Sequence, residues 1–148
     1  MEKISTMRIL LLTITSVLFV ACSQEPAEIH YGSDECVHCK MMITDNQFAS
    51  QLVTEKGKAY KFDAIECMVA YRQQNQEELS GALFYVSNYD QPGQWLNARE
   101  AQFVKSEVVR SPMGESLLAF PSKAEAENHV SEKPGNLLTW QEVSRIQL

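Results

Sequence analysis

Gly57-Lys58-Ala59-Tyr60-Lys61-Phe62-Asp63-Ala64-Ile65-Glu66 and Gly114-Glu115-Ser116-Leu117-Leu118-Ala119-Phe120-Pro121-Ser122-Lys123-Ala124-Glu125 read alike: a glycine, an extended run ending in phenylalanine, then an oxygen-bearing residue three before a glutamate. The last feature is a capping-box signature, in which the first side chain accepts from an orphan amide and the glutamate reaches back. A helix is therefore predicted from Asp63, with Ile65, Met68, Val69 and Arg72 at helical spacing, and a second from Ser122. Before the first, Phe48 to Thr54 and Lys58 to Phe62 flank the turn Glu55-Lys56-Gly57-Lys58 and read as a hairpin. After the helices, Leu83 to Val86 and Asn136 to Thr139 return as strands. Trp95, Ala101 to Val104 and Ser116 to Phe120 complete the strand set, and Thr139-Trp140-Gln141-Glu142 caps a short final helix. The expected fold is α+β: two packed β-β-α-β units from an internal duplication, at 34–91 and 92–148.

The chain opens with Lys3 and Arg8, an uncharged apolar run from Ile9 to Val20, and Ala21-Cys22. That order is a leader peptide with a small-residue cleavage site. The run is well short of the roughly 20 residues that cross a bilayer. Phe19-Val20-Ala21-Cys22 resembles a bacterial lipobox, which makes residues 1–21 a lipoprotein signal peptide, Cys22 the lipidated residue and 22–33 a tether. The expected location is the bacterial periplasm, lipid-anchored, with the outer membrane ahead of the inner. The formal charge of −6, without a Lys/Arg cluster, argues against nucleic acid or anionic lipid as a partner, since both demand a basic footprint.

Sulfur is concentrated in what remains. Cys36-Val37-His38-Cys39-Lys40-Met41-Met42 combines thiols and thioethers, soft donors that select copper(I) over hard cations. Cysteines separated by two residues can direct both sulfurs to one point, and Met41 can join them if the chain leaves the turn extended. Ser111-Pro112-Met113-Gly114 presents a second thioether from a turn, since Pro112 fixes the backbone and Gly114 removes bulk. The metal candidates are Cys39, Met41, Met113 and Cys36, followed by Met42, Cys67, His38 and His30. Cys67-Met68 supplies one residue to the core, leaving Cys67 as the ligand of the pair. His129 is read as a surface residue; Trp95, Tyr85, Tyr89 and Trp140 as packing.

Other readings compete. Zinc would want four ligands, available from Cys36, Cys39 and Cys67 with His38 or His30, and would make the chain a zinc-stapled interaction module. A thiol redox pair would be expected to open a helix after a strand, which this motif does not. A Cys36–Cys39 disulfide would leave Met41 and Met42 as core filler.

Cys36-x-x-Cys39-x-Met41, Phe62-Asp63-x-Ile65-x-Cys67-Met68 and Pro112-Met113-Gly114 together resemble the NosL family of copper-binding lipoproteins, over Asp34 to Pro121. The family often has Cys-Gly-Met where this chain has Cys39-Lys40-Met41. The resemblance implies a fold related to the organomercurial lyase, one copper(I) site, and delivery to apo nitrous-oxide reductase or its maturation proteins, a role in denitrification. No general acid is legible beside the cysteines, so the chain is not read as an enzyme.

Overall fold

The computed structural model describes residues 23–148; the expected signal peptide, residues 1–21, and the expected lipidation site Cys22 lie outside them. Seven strands form two antiparallel sheets. The first holds β1 (Ser50–Val53), β2 (Ala59–Phe62), β3 (Leu83–Ser87) and β4 (Trp95–Asn97) in the order β2-β1-β3-β4. The second holds β5 (Gln102–Ser106), β6 (Leu117–Phe120) and β7 (Gly135–Thr139) in the order β6-β5-β7. Helix α1 (Ile65–Gln74) links β2 to β3, α2 (Lys123–Glu132) links β6 to β7, and α3 (Trp140–Val143) closes the chain.

Both sheets share one connectivity: a first strand in the centre, its hairpin partner on one side, and the strand after the helix on the other. Gly57, with φ of +78°, makes the tight turn between β1 and β2. Trp95–Asn97 does not open the second unit. It pairs with β3 as the outer strand of the first sheet, Leu96 opposite Val86 and Trp95 opposite Ser87, and both apolar side chains pack against the core that the two sheets share.

One core unites the layers. Leu52, Phe62, Phe84 and Val86 of the first sheet, Met68 of α1, and Phe103, Leu117 and Ala119 of the second form a single buried cluster. Trp140 of α3 stacks at a tilt on Phe84 and Phe103. A smaller cluster under α2 contains Phe48, Val104, Leu118, Phe120 and Ala126. His129 belongs there and not on the surface: it is 8% exposed and packs edge-on to Tyr89 and against Phe120. The apolar face of α2 is short of large side chains, and the imidazole fills the gap.

Two of the three expected caps form. Ser122 accepts from the Glu125 amide, and Thr139 with Glu142 makes a complete capping box. At α1 the cap residue is Ala64, with no side-chain bond, so Asp63 and Glu66 are not a capping box. Tertiary partners claim both carboxyls.

The segment 23–29 is not a free tether. The Gln24 amide donates to Val53 O at 3.3 Å and Gly81 O at 3.0 Å, and Tyr85 Oη donates to Gln24 O at 2.9 Å. Ala27 exchanges two bonds with the Gln51 amide, at 2.8 and 3.0 Å, and Ile29 is buried. This cover explains why β1 is buried at all four positions where a half-exposed strand would alternate.

Candidate metal centre

Residues 35–42 form a tight loop. Glu35 bridges Met42, the Cys36 amide donates to Met41 O at 2.8 Å, and the Lys40 amide donates to Cys36 O at 3.0 Å. Closing so short a loop puts Lys40 at φ +64°, a left-handed conformation that glycine adopts without cost. The loop is pinned to β2 where the Val37 amide donates to Lys61 O at 2.9 Å. A Lys61–Asp34 ion pair at 2.7 Å reinforces it.

That anchorage sets the CxxC loop over the junction between β2 and α1. Cys36, Cys39, Cys67 and Asp63 bring one ligand atom each to within 4.8 Å of one another. Cys36 is fully buried, Cys67 and Asp63 are 2% exposed, and Cys39 is partly open. All three cysteines are unpaired thiols. The Cys39 thiol lies 3.5 Å from Asp63 Oδ2, as a weak donor, while Asp63 Oδ1 is buried without a partner. A buried carboxylate oxygen left unpaired is costly, and a cation is one group that would satisfy it.

The protons in the cluster are unequally held. A hydrogen bond from the Cys67 thiol lowers Cys36 to a pKa of about 6, against the opposing effect of burial. Burial pushes Cys39 up to about 11. Cys67 is also raised, chiefly because it donates to Cys36, then by burial. One thiolate is thus held by neighbouring thiols, and a metal entering the cluster has to displace the protons of Cys39 and Cys67.

Beside the cluster opens a cavity of about 240 Å³, lined by His38, Glu66, Cys67, Ala70, Met113, Glu115 and Leu148. Met113 reaches it from the turn that Gly114 closes, at φ +91°, with the Gly114 amide donating to Ser111 O. Glu66 fixes that turn to α1. Its Oε1 accepts from Ser111 Oγ and, at 3.3 Å, from the Glu115 amide; Ser111 Oγ also accepts from the Ser116 amide at 2.9 Å. Burial raises the Glu66 pKa, and its Oε2 has no partner.

The structure therefore gathers Cys36, Cys39 and Cys67, and sets Met113 and His38 on the adjoining cavity. Met41 and Met42, 48% and 52% exposed, are not among the residues lining that cavity. His30 is on the surface beside Glu28 and Asp34, at 4.0 and 3.6 Å, and neither it nor His38 belongs to the four-residue cluster. The fourth cluster member is Asp63, which the sequence reading took for a helix cap. It also supplies an acidic group beside the cysteines, where none was expected. The adjacency of Asp63 to Phe62 at a strand end and its spacing of four from Cys67 were the only signals available.

Three comparisons bear on this arrangement. A family model described as NosL matches residues 26–148. The copper-binding lipoprotein NosL of Stutzerimonas stutzeri is 29% identical over an alignment of 133 residues that covers 85% of this chain and 70% of that protein. The crystal structure of the copper chaperone NosL from Shewanella denitrificans matches with a TM-score of 0.69 at 22% identity, over 84% of this chain and 99% of that one.

Proposed function

Because the chain belongs to the NosL family, we propose that it binds copper(I) at Cys36, Cys39 and Cys67 and passes the ion to a client metalloenzyme. The observation that carries this reading is the convergence of three thiols, two of them buried, on one point at a strand-to-helix junction. Three soft donors fit the low coordination that copper(I) accepts, and the cluster offers no hard-donor cage. The half-open Cys39 is the sulfur a client ligand reaches first, so transfer proceeds by exchange at Cys39 while Cys36 and Cys67 still hold the ion. Met113, on the cavity wall, adds a thioether on the exit side, and Met41 a further one at the loop's rim. The client is apo nitrous-oxide reductase or its maturation proteins, and the protein works on the periplasmic side, held to a membrane, the outer rather than the inner, by lipid on Cys22. Among the described residues no helix is long and apolar enough to cross a bilayer, which is compatible with a lipid anchor.

A second reading draws on Asp63. Three cysteines and a carboxylate make a four-donor set of the kind zinc takes tetrahedrally, which would serve a zinc-stapled interaction module.

Anaerobic titration of the reduced Ser23–Leu148 fragment against a competing chelator separates them, with circular dichroism following the fold. One tight copper(I) equivalent on an already folded protein is expected. Replacing Met41 and Met113 by Leu, a nearly volume-matched change costing under about 1.5 kcal/mol, is expected to keep the fold and weaken retention. Absence of tight copper(I) binding, with folding that occurs only on adding zinc, would transfer the argument to the second reading.

A further inference from the structure

The segment that follows Cys22 is laid along the first sheet in one direction, and that direction relates the anchor to the metal centre. Ser23 O lies against the Gly57 turn, where a Cβ built on Gly57 would stand 3.2 Å away. Gln24 is clamped to Val53 O and Gly81 O, the ends of β1 and of the loop before β3 at that same turn. Tyr85, directly opposite Gln51 in the ladder and so on the same face, holds Gln24 O, while Gln51 holds both main-chain groups of Ala27. The chain thus climbs from the Val53 end of β1 towards the Ser50 end. Ser50 pairs with Phe62, and the next residue is Asp63 of the thiol cluster. Three strand steps from Val53 to Ser50 are about 10 Å, and the cluster lies one step beyond. From Gln24 back to Cys22 the chain can reach at most about 7 Å.

We propose that the Glu55–Lys58 turn, together with the Ser80–Gly81 loop beside it, is the surface that rests on the bilayer, and that the thiol cluster is held at the opposite end of the sheet, facing away from the lipid. The proposal rests on the lipidation of Cys22 within the function given above. A flexible leash would let the domain tumble and leave its site facing any direction. Here the five hydrogen bonds on Gln24 and Ala27 remove that freedom within two residues of the anchor. The exposed turn carries Glu55 as well as Lys56 and Lys58, with Glu78 close by. Headgroup charge therefore has no one-sided footprint to act on, and the acyl chains hold this face down. The partner is a lipid surface, and the consequence is a metal centre presented to soluble proteins.

The test uses the full-length lipidated protein in vesicles of phosphatidylethanolamine and phosphatidylglycerol. A ketone-bearing amino acid at Lys56 or at Lys40, joined to a nitroxide through an oxime, leaves the cysteines untouched. Collision of each label with lipid-soluble oxygen and with a water-soluble nickel chelate is then measured. Oxygen is expected to dominate at position 56 and the nickel chelate at position 40, by the cluster. In the double variant Gln24→Gly, Tyr85→Phe the contrast is expected to shrink. Equal accessibility at both positions in vesicle-bound protein would overturn the fixed orientation while leaving the anchor intact. A protein that does not float with the vesicles and carries an unmodified Cys22 by mass spectrometry would remove the lipid anchor itself, and the proposal with it.

Discussion

Ser111→Ala is a sensitive probe of how the two halves are joined at the metal centre. The Ser111 hydroxyl donates to Glu66 Oε1 and accepts from the Ser116 amide at 2.9 Å, at a residue only 6% exposed. A hydrogen bond to a carboxylate is worth about 1.5–3 kcal/mol, and the orphaned Ser116 amide adds about 1, so the loss is about 2.5–4 kcal/mol. For a domain of this size each kcal/mol moves the melting temperature by roughly 3–5 °C, which gives a drop of roughly 8–20 °C. Differential scanning calorimetry reads this directly, and a cycle with Glu66→Met, which removes the acceptor at similar side-chain length, isolates the pair, with a coupling on the order of 1–2 kcal/mol. The same variant frees the Ser111–Ser116 turn that carries Met113 to the cavity, so copper(I) retention should weaken with it. A shift under about 2 °C, or coupling indistinguishable from zero, would show that the hydroxyl does not hold this turn and would refute the latch.

Two further outcomes follow from the site and the core. Asp63→Asn keeps the volume but removes the anionic oxygen, so zinc affinity should fall about 10- to 100-fold while copper(I), held by thiols, changes little; equal losses for both ions in chelator competition would mean that Asp63 acts on the thiols and not as a donor. Burial, with the nearby Lys133, depresses the His129 pKa below its ordinary 6.5. The folded state therefore favours the neutral ring, and the stability this gives is complete above that ordinary value and is lost as pH falls through the folded one. Urea midpoints measured from neutral pH downwards should fall less steeply for His129→Phe than for the unmodified protein, and parallel curves would exclude His129 as the titrating group.

Much of the fold was legible because it rests on local patterns. Turn glycines, period-two strands and S/T-x-x-E starts are written in adjacent residues, so β1 to β3, β6, α2 and α3 stand close to where the sequence puts them. Trp95–Asn97 joined the other sheet because three residues carry no information about which neighbour they pair with. His129 went inside because the shortage of bulk on α2 is visible only once Tyr89 and Phe120 are packed against it.

The sulfur motif had the same mixed fate. Cysteines separated by two residues are a local fact, and their convergence was expected from spacing. Cys67 joined them because β2 and α1 meet under the loop that Val37 pins to Lys61, a contact between segments 24 residues apart. Asp63 and Glu66 show the division most clearly. Both sit where a helix cap is favourable by about 1 kcal/mol, yet one carboxylate turned to the thiols and the other to Ser111, since burying each beside its distant partner outweighs an exposed cap. The sequence by itself determined the element order, the soft-donor chemistry and the leader-like start. Tertiary packing alone decided which carboxylate faces the cysteines, which methionine reaches the cavity and that the expected tether is laid along the first sheet by side-chain hydrogen bonds, because each depends on which surfaces are left to be covered after the core has closed.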